Sequence, residues 1–310
     1  MVAISLFNCG CLVACAGCIC LTHRPKRRPN FEYVAMRAAA VVFTMVAAYR
    51  SILPRIDVPR ICWFDTPANW IVFGRAAATV AELAWAMQMG LQLRRLALCL
   101  PRARCSSSLR VVGLIVIALA AIAECFSWTN LVTENNAFAV VEQFLWGVLF
   151  LLTGVGVAAL LPAWKNSSSP TPVAWFSYAF FALLVAGMGV EQEVEAFALY
   201  LPRYFAQIDG HKQNTTHDHL SGGVQGFDRL AACATASHDW ATWKMDAAWM
   251  TAYFSVGVWT SLWLAVVPLP PLRGEAAAAD ALLLPQHAST QTWKQTWNRP
   301  ATPVQEIVVE

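Results

Sequence analysis

Glu82, Glu124, Glu142 and Glu191 lie inside, or at the ends of, long hydrophobic stretches, and Arg75 shares a helix face with Glu82. A charge at the centre of a membrane-spanning helix costs about 2.5–3.5 kcal/mol. A chain that accepts this cost repeatedly hides the charges from lipid in a polar interior. Carboxylates in such an interior bind a small cation or relay protons, and these four with Arg75 are the substrate- or proton-binding candidates. Glu82 is the deepest of the set. Arg75 and Glu82 stand two turns apart, about 10 Å along the axis, which predicts partners on neighbouring helices rather than a direct pair. Thr79 extends their polar stripe. Glu124 and Glu142 flank the tight turn Glu134-Asn135-Asn136, which predicts antiparallel neighbours with both carboxylates at similar depth. Glu193 and Glu195 read as solvated at the membrane interface.

A second group falls between the hydrophobic blocks. His238 and Asp239 begin the last block, where His238 has the chemistry of a general base. They are the catalytic candidates if the protein is an enzyme. Cys62 and Cys233 fall in the two substantial loops on one side of the membrane, where a disulfide is the expected pairing if that side is oxidising. The sequon Asn214-Thr215-Thr216 is the glycosylation candidate, in the long loop on the same side. The run His211, His217, Asp218 and His219 is embedded in Gly, Asn and Thr, which does not predict a rigid metal site. Cys9, Cys11, Cys15, Cys18 and Cys20 crowd the first apolar block without a His or carboxylate at ligand spacing. They read as small apolar thiols or S-acylation sites. No metal and no cofactor is expected.

The elements that must position these residues are hydrophobic. The chain has 310 residues, 57% hydrophobic and 13% charged, against about 25% charged in soluble domains. The apolar residues come in blocks rather than at amphipathic spacing, which predicts an all-α, polytopic transmembrane bundle. Seven spans are expected, at 2–22, 34–53, 69–93, 111–132, 137–163, 173–201 and 247–269, or six if the N-terminal block does not span. The bundle covers 1–269, with an outer loop at about 202–246, and 270–310 reads as a flexible cytosolic tail. In this threading the outer parts of the spans hold the carboxylates, and the inner stretches Val111 to Ala123, Leu145 to Leu161 and Val173 to Leu184 read as nearly pure hydrocarbon.

Of the 22 Lys and Arg, fourteen fall on one side of these spans, seven on the other, and Arg75 within one. The basic side is cytosolic by the positive-inside rule. That places the N-terminus outside or in a lumen, the C-terminus in the cytosol, and the protein in an endomembrane or plasma membrane. The net charge of +3 is spread between apolar blocks and does not indicate nucleic acid. The expected partners are the lipid bilayer and a small cation or proton. The leading functional reading is a carrier that handles a cation or protons through an outward-facing acidic interior. The alternatives are a membrane-embedded enzyme acting on a lipid or lipid-linked substrate, and a non-catalytic receptor or assembly subunit.

Overall fold

A computed structural model describes Gly10 and residues 31–57, 60–100, 103–165, 172–213, 233, 235–244 and 246–267. Apart from Gly10, the first expected span lies outside these residues, as do the sequon at Asn214, the His217–His219 run and the expected tail. The fold is all-α apart from one small sheet. Its elements are α1 (Phe31–Ile52), β1 (Arg55–Ile56), β2 (Ile61–Cys62), α2 (Ile71–Cys99), α3 (Ser106–Thr133), α4 (Asn136–Lys165), α5 (Pro172–Glu195), α6 (Leu201–Gln213), β3 (Thr235–Ala236), α7 (Trp240–Trp243), α8 (Ala247–Ala252) and α9 (Val258–Val266). A π-helical turn, Ala196–Tyr200, joins α5 to α6, and a second, Tyr253–Gly257, joins α8 to α9. The expected span 173–201 therefore continues as helix to residue 213, into the segment read as loop.

Four stretches are long and apolar enough to cross a membrane: Phe31–Ile52, Ser106–Thr133, Asn136–Lys165 and Val173–Asp209. Their outward faces carry exposed Met45, Val155, Phe176, Phe180 and Leu183. An apolar exterior over helices of this length is the surface of an integral membrane protein. Tyr253–Val266 is apolar but shorter. Of the seven expected spans, these four have that length and apolarity among the described residues. The long helix α2 is not one of them, for a reason visible in its packing. It is the central helix, in contact with α1, α3, α4 and α9. Its polar residues Arg75, Glu82, Gln88, Gln92 and Arg95 are all buried, so they lower its hydropathy without meeting lipid.

Small residues set the helix approaches. Gly90 on α2 and Gly113 on α3 face each other so closely that a Cβ on either would collide with the other's backbone oxygen. Close backbone contact of this kind is how membrane helices associate where lipid removes the hydrophobic drive between them. The turn from α3 to α4 is as tight as the sequence implies. Glu134 closes α3 in the left-handed conformation, φ 53°, with its N–H bonded to the Asn130 carbonyl, and the Asn135 side chain accepts from Ala137 N at 3.0 Å. The two helices pack as antiparallel neighbours.

One end of the bundle is capped by the strands. β1 pairs antiparallel with β2, and β2 pairs parallel with β3. Cys62 and Cys233 are joined by a disulfide, with Cα atoms 5.9 Å apart. The Arg60 side chain at the β1–β2 turn reaches Glu134 at 2.9 Å, tying the cap to the α3–α4 turn. Beneath it, the buried Asn69 amide donates to the carbonyls of Phe64 (3.0 Å) and Pro54 (3.3 Å).

Candidate functional site

Arg75, one turn into α2 from the capped end, is 6% exposed. Its Nη2 lies 2.8 Å from Glu82 Oε2 on the same helix and 2.7 Å from Glu124 Oε2 on α3. Glu142 Oε1 on α4 is 3.8 Å away, and Asp57 Oδ2, just after β1, lies 3.9 Å from Nη1. Three helices and the cap therefore converge on one guanidinium. The expectation that Arg75 and Glu82 would not pair directly is corrected. A helical side chain tilts toward the N-terminus of its helix, so Glu82 leans back toward Arg75. Two long side chains then close a gap of two turns.

Arg50 at the end of α1 is a second buried cation, 3.6 Å from Asp57 and 3.8 Å from Glu82. Arg55 is the third. Asp57 Oδ1 lies 3.4 Å from its Nε, and its guanidinium rests against Gly74, where any Cβ would overlap it. Burial pulls the Arg55 pKa below its ordinary value, while Asp57 opposes the shift. The three arginines and the carboxylates form a continuous buried ion network, and removing one member leaves the others uncompensated.

Thr79 donates to Glu124 Oε2 and accepts from the Trp128 indole N–H at 3.0 Å. Trp128 packs in turn on the cluster of Cys62, Ile71 and Leu131 that surrounds the disulfide. The disulfide is thus connected to the ion network through two side chains. In the sequence a Trp follows a Glu by three or four residues at Glu82/Trp85, Glu124/Trp128 and Glu142/Trp146. Trp85 and Trp146 lie one turn beyond their glutamates, away from the cap, and both rings pack against Phe150, at 5.2 and 5.5 Å. These aromatics floor the site.

Between the network and the aromatic floor is a cavity of about 120 Å³. Arg50, Asp57, Arg75, Glu82 and Glu142 line one part of it. Glu191, Glu195, Tyr200, Asp246 and Tyr253 line another. Glu195, expected to be a solvated interfacial residue, faces this cavity. Both π-helical turns end or begin at it, through Tyr200 and Tyr253. Such turns shift the helix register locally and recur at functional sites. The structure therefore gathers all five of Glu82, Glu124, Glu142, Glu191 and Arg75 at one place, with Glu124 behind the wall, bonded to Arg75.

His238 and Asp239 are not part of it. His238 is exposed, its Nε2 lies 2.7 Å from the Trp63 carbonyl oxygen, and its ring packs on Trp63 at 5.0 Å. Asp239 caps α7 by accepting from Ala241 N at 3.1 Å. Pairing of β3 with β2 holds this segment on the cap rather than in the cavity. Among the described residues, no three His, Cys, Asp or Glu side chains group as metal ligands.

The half of α2 away from the cap is also polar. Gln88 donates to the carbonyls of Met36 (2.7 Å) and Ser261 (3.2 Å), and the Ser261 hydroxyl donates back to Gln88 at 2.6 Å. Gln92 bonds the Tyr178 hydroxyl, and Arg95 reaches Glu32 at 3.3 Å. The signal is present in the sequence as Gln88, Gln92 and Arg95 at helical spacing on α2. These contacts join α2 to α1, α5 and α9. Compared with known proteins, the chain matches no family model, no curated protein and no solved structure.

Proposed function

We propose that the protein is a carrier that takes a small cation or protons into the acidic cavity between α2, α4, α5 and the second π-helical turn. The observation that carries this reading is the excess of carboxylates over cations at the cavity wall. Asp57, Glu82, Glu142, Glu191, Glu195 and Asp246 line it against Arg50 and Arg75. Intramembrane carboxylates facing a cavity are the usual machinery of ion and proton pathways. Glu82 and Glu124 are held close to Arg75, whereas Glu142 sits farther from it, at 3.8 Å, and lines the cavity. Glu142 is therefore the group best placed to exchange Arg75 for a cation or proton. Two helices interrupted by π-helical turns at the same level supply the points at which the bundle can flex. The disulfide cap faces the oxidising, outer side, as the Lys and Arg bias also favours.

The test is flux in proteoliposomes. The native chain moves cations or protons down an imposed gradient, and Glu142→Gln loses at least tenfold of that flux while keeping native melting behaviour. Full flux in Glu142→Gln, or none in the native chain under cation and proton gradients, refutes the carrier reading.

A further inference from the structure

Arg50, Arg55, Arg60, Arg75 and Arg95 each lie 3.6 Å or less from a carboxylate. At the end of the bundle away from the cap a second set of cations is not matched in this way. Arg104 in the α2–α3 turn, Arg110 near the start of α3 and Lys165, the last residue of α4, are exposed. They pair with no carboxylate among the described residues. Glu32 is the one described carboxylate at this end, and Arg95 faces it at 3.3 Å. From Arg94 to Arg110 the sequence has five arginines and no Asp or Glu.

The helix ends that carry these cations are packed together. In the α2–α3 turn, Ala103 N–H donates to the Leu100 carbonyl and Ser106 N–H to the Ala103 carbonyl, both at 3.0 Å. Cys105 Sγ lies 3.9 Å from the Ala159 carbonyl oxygen on α4. Trp175, at the start of α5, donates to the Leu161 carbonyl near the end of α4 at 3.2 Å. The apolar exterior begins at the same level, with Phe31, Val173 and Phe176 exposed at the starts of α1 and α5. On α3, exposed Arg110 is followed directly by exposed Val111, Leu114 and Ile115. The surface thus passes from cation to hydrocarbon within about one turn, as it does where headgroups meet acyl chains.

We infer that this face binds anionic phospholipid. The headgroup supplies the negative charge that Arg104, Arg110 and Lys165 lack, with a guanidinium able to give two N–H groups to one phosphate. The acyl chains lie along the exposed apolar residues of α3 and α5. A soluble polyanion would meet the cations but leave Val111, Leu114 and Ile115 uncovered. A positive end that only directs membrane insertion would show no preference among lipids once the protein is in place. Basic clusters beside membrane helices have this lipid chemistry, and the inference holds whatever the cavity carries.

Anisotropy of a fluorescent phosphatidylserine titrated with the purified full chain in detergent tests this directly. The labelled lipid binds saturably, and phosphatidylcholine with the same acyl chains competes about tenfold more weakly than unlabelled phosphatidylserine. Arg104→Gln, Arg110→Gln and Lys165→Gln each weaken binding about fivefold. Lys244, exposed at the capped end, is the control, and Lys244→Gln leaves binding unchanged. Equal competition by phosphatidylcholine overturns the inference and leaves the basic end as an insertion signal alone. Displacement by inositol hexakisphosphate as strong as that by phosphatidylserine overturns it in favour of a soluble polyanion. Both of these outcomes are read on the native chain and do not depend on the variants folding. A loss in Lys244→Gln equal to that in Arg104→Gln also overturns it, since net charge rather than this face would then set the affinity.

Discussion

Arg75 on α2 donates to Glu124 on α3 across 2.7 Å, at residues separated by 49 positions in the chain. The same Nη2 is 2.8 Å from Glu82, so one guanidinium nitrogen holds two helices together at the level of the cavity. Buried pairs of this kind add little net stability relative to a well-packed apolar core, but breaking one is expensive. The network is a positioning device, and its members fail together.

Arg75→Ala is expected to destabilise the protein by about 3–5 kcal/mol, because it leaves Glu82 and Glu124 buried without their cation. Thermal unfolding of the detergent-solubilised protein measures this. Combining Arg75→Met with Glu82→Gln and Glu124→Gln restores most of the lost stability, since the two carboxylates closest to Arg75 then lose their charge together with it. A triple variant no more stable than Arg75→Ala would show that the network's charge balance is not what stabilises this region.

Loss of the Cys62–Cys233 bond removes a cross-link between residues 171 apart in sequence. The expected cost is about 2–4 kcal/mol. Reductant should lower the melting temperature of the native chain and leave the Cys62→Ser/Cys233→Ser double variant unchanged. Trp128 packs on the disulfide cluster and donates to Thr79, which bonds Glu124. The same double variant is therefore expected to reduce flux, whereas a disulfide that merely staples the cap would leave flux intact.

Gly90→Val and Gly113→Val are expected to abolish folded, monodisperse protein, since either Cβ would strike backbone on the facing helix. Gly74→Val should be milder, about 1–3 kcal/mol in the range of overpacking effects. There the obstacle is the movable Arg55 side chain. Fluorescence-detected size exclusion on the three variants checks the ranking, and equal yields would contradict it.

The main outline is legible in the sequence because the strongest signals are local. Apolar blocks mark α1, α3, α4 and α5, and the short Glu134-Asn135-Asn136 turn makes α3 and α4 antiparallel neighbours. The expense of a charge in lipid singles out the glutamates. What escapes the sequence depends on side-chain direction and tertiary contact. The reach of Glu82 back to Arg75 follows from the tilt of helical side chains rather than from axial spacing. The position of His238 is hidden because depth along a helix says nothing about azimuth, and pairing in the small sheet carries it onto the cap. The two π-helical turns leave no clear mark in composition, although Tyr200 and Tyr253 owe their positions to them. The Gln88, Gln92 and Arg95 stripe is readable, but long apolar runs on the neighbouring helices mask it.

A cation or proton can use the cavity only if water reaches it. Hydroxyl-radical footprinting of the native chain in lipid nanodiscs, read by mass spectrometry at methionines, tests this most directly. Met188 lines the cavity, Met36 and Met89 are 1% and 0% exposed, and Met45 is 57% exposed on a lipid-facing helix. A wet cavity gives strong oxidation at Met188 with Met36, Met45 and Met89 spared. Protection of Met188 to the level of Met89 would mean a dry interior and contradict the carrier reading.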